Sequence, residues 1–81
     1  MLLEIVTPDK KVFEGEVTSS TFPGADGTFQ VLNNHAPIIS PLVNGKLSYI
    51  TDSGENGELN VSGGVVEVSN NKIIVLAESA N

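Results

Sequence analysis

Few residues in this chain have side chains suited to chemistry. His35 is the only histidine, and there is no cysteine. As a general base, His35 would need a nucleophile within reach and an acid to orient it. Ser40 and Asp26 stand near it along the chain, but no nucleophile-elbow pattern accompanies them. A single histidine ahead of Ala36-Pro37 reads as a structural or contact residue. One histidine and no cysteine exclude a multi-histidine or thiolate zinc site, and disulfide staples with it.

The stretch from Asp52 to Glu58 has the look of a calcium loop. It fails at the third position, where Gly54 offers no side-chain oxygen, and at the twelfth, where Gly63 replaces the bidentate Glu. A solvated hairpin tip is the better reading. Gly24-Ala25-Asp26-Gly27 has no following Gly-Lys-Ser/Thr and no helix to supply a dipole, so it is not a phosphate cradle. Glu14 and Glu16 share one face of a strand and read as solvated surface. No catalytic, metal, nucleotide or cofactor site is expected.

These residues are set in a chain of 81, enough for one small domain spanning residues 1–81. Ten Val, six Ile and five Thr against four Ala favour strands over helices. Turn signals recur at Pro8-Asp9, Pro23-Gly24, Asp26-Gly27, Asn33-Asn34, Asn44-Gly45, Asn56-Gly57, Gly63-Gly64 and Asn70-Asn71, with short apolar runs between them. Such spacing predicts an all-β sandwich or barrel with no substantial helix. Leu3 and Ile5, Phe29 and Val31, Leu47 and Tyr49, Leu59 and Val61, and Val66 and Val68 alternate as half-buried strands do. Residues 72–77 are apolar at both parities, which predicts a central strand covered from both sides. Asp26-Gly27 and Asn56-Gly57 predict tight primed hairpin turns, and Asn44-Gly45 is a third candidate. Pro41 predicts an edge strand or a bulge.

The net charge is −6, and no Lys or Arg lies between Val12 and Gly45. That balance disfavours nucleic acid and anionic lipid and favours an electropositive protein partner. No segment is long and apolar enough to cross a bilayer as a helix, and no signal peptide is visible, so a soluble cytosolic chain without membrane insertion is expected. Residues 22–39 concentrate turn residues around two short apolar pieces and carry no cation. A rigid scaffold presenting such a segment suggests a binding surface.

Pro23-Gly24-x-x-Gly27-x-Phe29-x-Val31-Leu32-x-x-His35-Ala36-Pro37, then Asn44-Gly45-x-Leu47, then Ser62-Gly63-Gly64-x-Val66-Glu67-Val68, then Asn71-x-x-x-Val75-Leu76-Ala77 occur in one order and spacing. This pattern resembles the N-terminal domain of the epsilon subunit of bacterial F-type ATP synthases, over essentially the whole chain. The resemblance implies a sandwich of two mostly antiparallel five-stranded sheets. It also implies a non-catalytic place at the foot of the central rotor, between the gamma subunit and the c-ring, at the cytoplasmic face of the plasma membrane. The implied partner-facing loop is Asp26, Gly27, Thr28, Phe29, Gln30 and Val31, with His35, Ala36 and Pro37 beside it. Thr28 stands where many members are acidic, Gln30 where glycine is common, and Asn33-Asn34 where Pro-Gly is usual. Many relatives continue into a helical hairpin. With the chain ending at Asn81, no C-terminal helical domain and no ATP site are expected. The alternative is a stand-alone β-sandwich that binds a protein or peptide along the edge strand bearing Pro41.

Overall fold

The computed structural model describes residues 1–81, and all of its regular structure is β. Six strands follow in order: β1 (Leu2–Val6), β2 (Lys11–Gly24), β3 (Gly27–Leu32), β4 (Ile38–Thr51), β5 (Asn56–Ser69) and β6 (Lys72–Ala77). They form one sheet in the order β1-β6-β5-β4-β2-β3, closed by a β1–β2 pairing.

Three of the strands are 14 residues long and bend, so each serves two layers. Layer one joins β1, β6, residues 11–17 of β2, residues 64–69 of β5 and residues 38–42 of β4. Layer two joins β3, residues 19–24 of β2, residues 44–51 of β4 and residues 56–62 of β5. Its fifth member is the tail at 79–81, where Val61 bridges Ala80 and Asn60 and Asn81 exchange backbone hydrogen bonds of 2.9 Å. The expected pair of five-stranded sheets is present as two halves of one closed sheet. Every pairing is antiparallel except β1–β6.

The bend in β5 falls at Gly63-Gly64, where the β4–β5 register skips one pair between Leu42↔Gly64 and Asn44↔Ser62. Both glycines have positive φ, +84° and +126°. A Cβ on Gly64 would lie 2.1 Å from the Leu76 carbonyl oxygen, so no other residue fits the crossing of β5 over β6.

The predicted alternation holds. Leu3, Ile5, Val17, Phe22, Val31, Leu47, Val66, Ile73 and Val75 are fully buried and fill the space between the layers, while Glu67 faces out between Val66 and Val68. Deep burial of this kind contributes about 1.5–3 kcal/mol per large aliphatic or aromatic side chain.

Several local expectations need correction. β6 is flanked by strands on both sides, as predicted, but only its inner face is covered: Leu76 is 52% exposed. Asn44-Gly45 is no turn, because β4 runs straight through it. Asn56-Gly57 already pairs with Ile50 and Tyr49, and the reversal lies at residues 52–55, with positive φ at Gly54. Gly57 is small for another reason: a Cβ there would lie 2.2 Å from Cζ of the Tyr49 ring. The turn with both central residues at positive φ is Asn70-Asn71, joining β5 to β6. Residues 38–40 pair only with β5, and Pro41 stands where that edge ends, its carbonyl oxygen accepting the Ala25 N–H at 3.0 Å.

Candidate functional site

His35 lies in the coil between β3 and β4, and its Nδ1 is 2.7 Å from the Ala36 carbonyl oxygen. Ser40 turns its hydroxyl to the Pro41 carbonyl at 3.0 Å. No nucleophile, base and orienting acid are joined here by hydrogen bonds, so the geometry offers no acyl-transfer machinery. At the β4–β5 tip, Thr51 Oγ1 accepts from the Glu55 backbone N–H at 3.0 Å and Ser53 donates to Glu55 Oε1 at 3.3 Å. The tip satisfies its own polar groups, and no three carboxylate or imidazole groups converge on a common point.

The residues singled out around 26–31 form a hairpin arm, not a loop. Gly24 pairs with Gly27, leaving Ala25 and Asp26 as the two turn residues, neither at positive φ. The turn is therefore not of the primed type. The left-handed requirement falls instead on Gly27, at φ +126°. Gly24 lies against the arm's aromatic support: its Cβ position is 2.9 Å from the Phe29 ring and 2.7 Å from the Gly27 carbonyl. Phe29 in turn packs on buried Phe22, with ring centroids 5.6 Å apart.

Asp26, Gly27, Thr28 and Gln30 are exposed, Phe29 is half-buried, and Val31 is wholly inside the core. Val31 is thus removed from the set of residues free to touch a partner. His35, Ala36 and Pro37 do not lie beside the Asp26 tip. They follow the far end of β3, and five residue steps at ~3.3 Å put them roughly 17 Å away. They sit instead near the β5–β6 turn and the N-terminus. Asn34 N–H donates to Asn71 Oδ1 at 2.8 Å, and the Met1 ammonium donates to Asn33 Oδ1 at 2.9 Å. β3 therefore carries two separate polar ends on one free edge.

A further surface escaped the sequence reading. The outward face of layer one exposes Leu76 and Ile39 (69%), and Val43 (47%) is exposed just past it, where β4 passes to layer two. The doubly apolar run 72–77 is as compatible with this exposed face as with cover by a second layer. Beside this face, Lys11 reaches Glu14 at 2.7 Å and Glu4 at 3.0 Å. The hydrogen bond to Glu14, then that to Glu4, raises the Lys11 pKa, and the Lys11 ammonium lowers that of Glu14.

Residues 1–81 match the family described as ATP synthase, Delta/Epsilon chain, beta-sandwich domain. The chain belongs to this family. Among relatives, the ATP synthase epsilon chain of Chlorobium limicola is 43% identical over 79 residues, covering 98% of this chain and 90% of that one. The epsilon chain of Nitratidesulfovibrio vulgaris (strain DP4) is 50% identical over 78 residues, covering 96% of this chain but 58% of that one. The delta/epsilon sandwich here thus spans most of one relative and little more than half of another. Among solved structures, a chain of the Euglena gracilis mitochondrial ATP synthase (OSCP/F1/c-ring) superposes with a TM-score of 0.93 at 22% identity, over all of this chain and 52% of that one. A chain of the Tetrahymena thermophila mitochondrial ATP synthase central stalk/c-ring gives 0.82 at 19%, over all of this chain and 65% of that one. At those identities the likeness is one of fold, and the delta/epsilon sandwich is that fold.

Proposed function

We propose that this chain is a non-catalytic central-stalk subunit of a proton-translocating ATP synthase, joining gamma to the c-ring and turning with them. Family membership over the whole chain carries the reading, and the form of the β2–β3 arm supports it. A coupling element must transmit torque without yielding, and a closed, densely packed sheet is stiff. The arm's exposed tip, Asp26, Gly27 and Thr28 with Gln30 behind it, is assigned to the polar loops of the ring. His35, Ala36 and Pro37, at the opposite end of β3, are assigned to gamma. The subunit works peripherally at the cytoplasmic face of the membrane. No helix in it is long and apolar enough to cross a bilayer.

The test is affinity recovery of the tagged chain from membranes, followed by ATP-driven proton pumping. Gamma and c-subunit are expected to co-purify, and replacing residues 26–30 by a Gly-Ser segment is expected to lose the ring while keeping gamma. Recovery of neither partner with the unaltered chain overturns the proposal.

A further inference from the structure

The unpaired strand edges of this fold are defended unequally. Such an edge offers N–H and C=O groups to any passing chain, and charge or proline placed on it normally prevents pairing. Residues 11–16 of β2 pair only with β1 and carry Lys11, Glu14 and Glu16. Residues 38–40 of β4 pair only with β5 and lie between Pro37 and Pro41. Residues 56–59 of β5 pair only with β4 and include Glu58. β3 lies beside β2 alone, and Gly27–Leu32 holds neither a charge nor a proline.

The β2–β3 hairpin fixes which groups of β3 are free. Pro23 has no N–H, so the hydrogen-bonded pairs of this ladder fall at Gly24–Gly27, Phe22–Phe29 and Ser20–Val31. Thr28 and Gln30 therefore turn both backbone groups to the open side. Leu32 turns its N–H there, while its carbonyl accepts the His35 N–H at 3.2 Å. The side chains of Thr28, Gln30 and Leu32 are exposed on the outer face, and Phe29 is half-buried on the inner one.

We infer that this edge pairs with the same edge of a second copy, antiparallel about a two-fold axis through Phe29. Thr28 of each copy then lies opposite Gln30 of the other. These are the two residues with both backbone groups free, and each such pair exchanges two hydrogen bonds. The two Phe29 residues meet in the closer, non-hydrogen-bonded position, so the exposed part of each ring gains an aromatic neighbour. This match of one strand to itself favours a second copy over an unrelated strand. The net charge of −6 opposes association, but β3 contributes none of it. The nearest charges along the paired strands are the two Asp26 carboxylates, each opposite Leu32 of the other copy. Six residue steps at ~3.3 Å hold them about 20 Å apart, more than two Debye lengths at physiological salt. Two-fold pairing consumes both edges at once, so it closes as a dimer and does not grow into a fibre. In the role proposed above the β2–β3 arm meets the ring, and a self-paired chain is thereby held out of the complex. Only that consequence rests on the proposed role; the pairing does not.

The test is sedimentation of the 81-residue chain over a concentration series from about 5 to about 500 µM. A monomer–dimer equilibrium with nothing larger is expected, and it tightens severalfold between about 0.05 and about 0.5 M salt as repulsion between the copies is screened. In a mixture of isotope-labelled and unlabelled chains, intermolecular nuclear Overhauser effects are expected between Phe29 rings. Thr28→Glu with Gln30→Glu sets like charges opposite one another and is expected to weaken pairing at least tenfold. Thr28→Lys with Gln30→Glu sets opposite charges there at unchanged net charge, and its dimer is expected to be as tight as the unaltered one or tighter. Both variants alter exposed side chains, and unchanged melting temperatures at low concentration establish that they fold. A chain that stays monomeric up to about 500 µM overturns the inference. Equal weakening by the two variants overturns it in favour of another edge or register, and an open series of larger species overturns the two-fold closure.

Discussion

The two hairpins of layer two, β2–β3 and β4–β5, reverse the chain by different means. The first rests on packing: its two-residue turn is squeezed between Gly24 and Gly27, and the arm behind it is held by Phe29 on Phe22. The second rests on hydrogen bonds at its tip, where Thr51 and Ser53 hydroxyls and the Glu55 backbone close a wider turn. Aromatic contact steadies β4–β5 as well, but further down, where Tyr49 packs on Phe13 with centroids 4.3 Å apart. An arm fixed by sterics and apolar contact, with the Ala25 N–H bonded to the Pro41 carbonyl at 3.0 Å, holds its tip without side-chain hydrogen bonds. That suits the arm proposed to bear load.

The sharpest way to break this contrast is to remove the support beneath the first arm. Phe22→Ala empties a fully buried ring position and strips Phe29 of its partner. A loss of about 3–5 kcal/mol is expected, which for a domain of this size lowers the melting temperature by more than ~12 °C. Thermal unfolding followed by circular dichroism measures it. A loss under ~1 kcal/mol would mean that the arm is not held by packing.

Next comes Gly24→Ala, which places a methyl 2.7 Å from the Gly27 carbonyl and 2.9 Å from the Phe29 ring. Because one of those contacts is backbone, the turn must open, and about 2–3 kcal/mol of destabilisation is expected. Denaturant unfolding gives the value. The matching change on the other hairpin, Ser53→Ala, touches only an exposed tip and is expected to cost less than ~0.5 kcal/mol.

Much of this architecture was legible in the residues. Period-two alternation identified the inner faces correctly, because burial of one sheet face imposes that pattern on any antiparallel strand. The turns were legible only in part. Asp-Gly, Asn-Gly and Asn-Asn look equivalent in sequence, yet only Asn70-Asn71 forms a primed turn. Asp26-Gly27 is displaced by one residue, and Asn56-Gly57 is small because Tyr49 covers it, a long-range contact that no local signal reports. Chain order alone does not show how the residues of the candidate site are distributed in space. Thr28 and Gln30 face out, but Val31 points into the core, and His35 is carried to the far end of β3. The exposed face of β6 is not legible in the sequence, because an outward apolar side chain and a buried one are the same letter.

Gly27 separates the two ways of reading the arm. Its φ of +126° lies where a β-branched residue is strongly disfavoured, while its Cβ direction is open, with nothing within 4 Å. Gly27→Val therefore tests backbone strain free of clash, and about 1–3 kcal/mol is expected. Thr28→Ala, one residue on, alters only an exposed side chain and is expected within ~0.5 kcal/mol. Equal melting temperatures for the two variants would place the strain elsewhere in the turn.

A more modest loss than at Gly27 is expected on the second hairpin. Thr51→Val keeps the shape and the strand preference of a residue that pairs with Val17 of β2, but it deletes the hydroxyl that accepts the Glu55 N–H and meets Ser53. The bond is exposed, so water replaces it, and only about 0.5–1 kcal/mol should be lost. Because the tip has no packing to fall back on, the loss should be local. Hydrogen exchange at Glu55 is expected to accelerate severalfold while Leu47 and Phe22 keep their protection. Protection lost throughout the core would show that the β4–β5 tip, and not the aromatic arm, governs the stability of layer two.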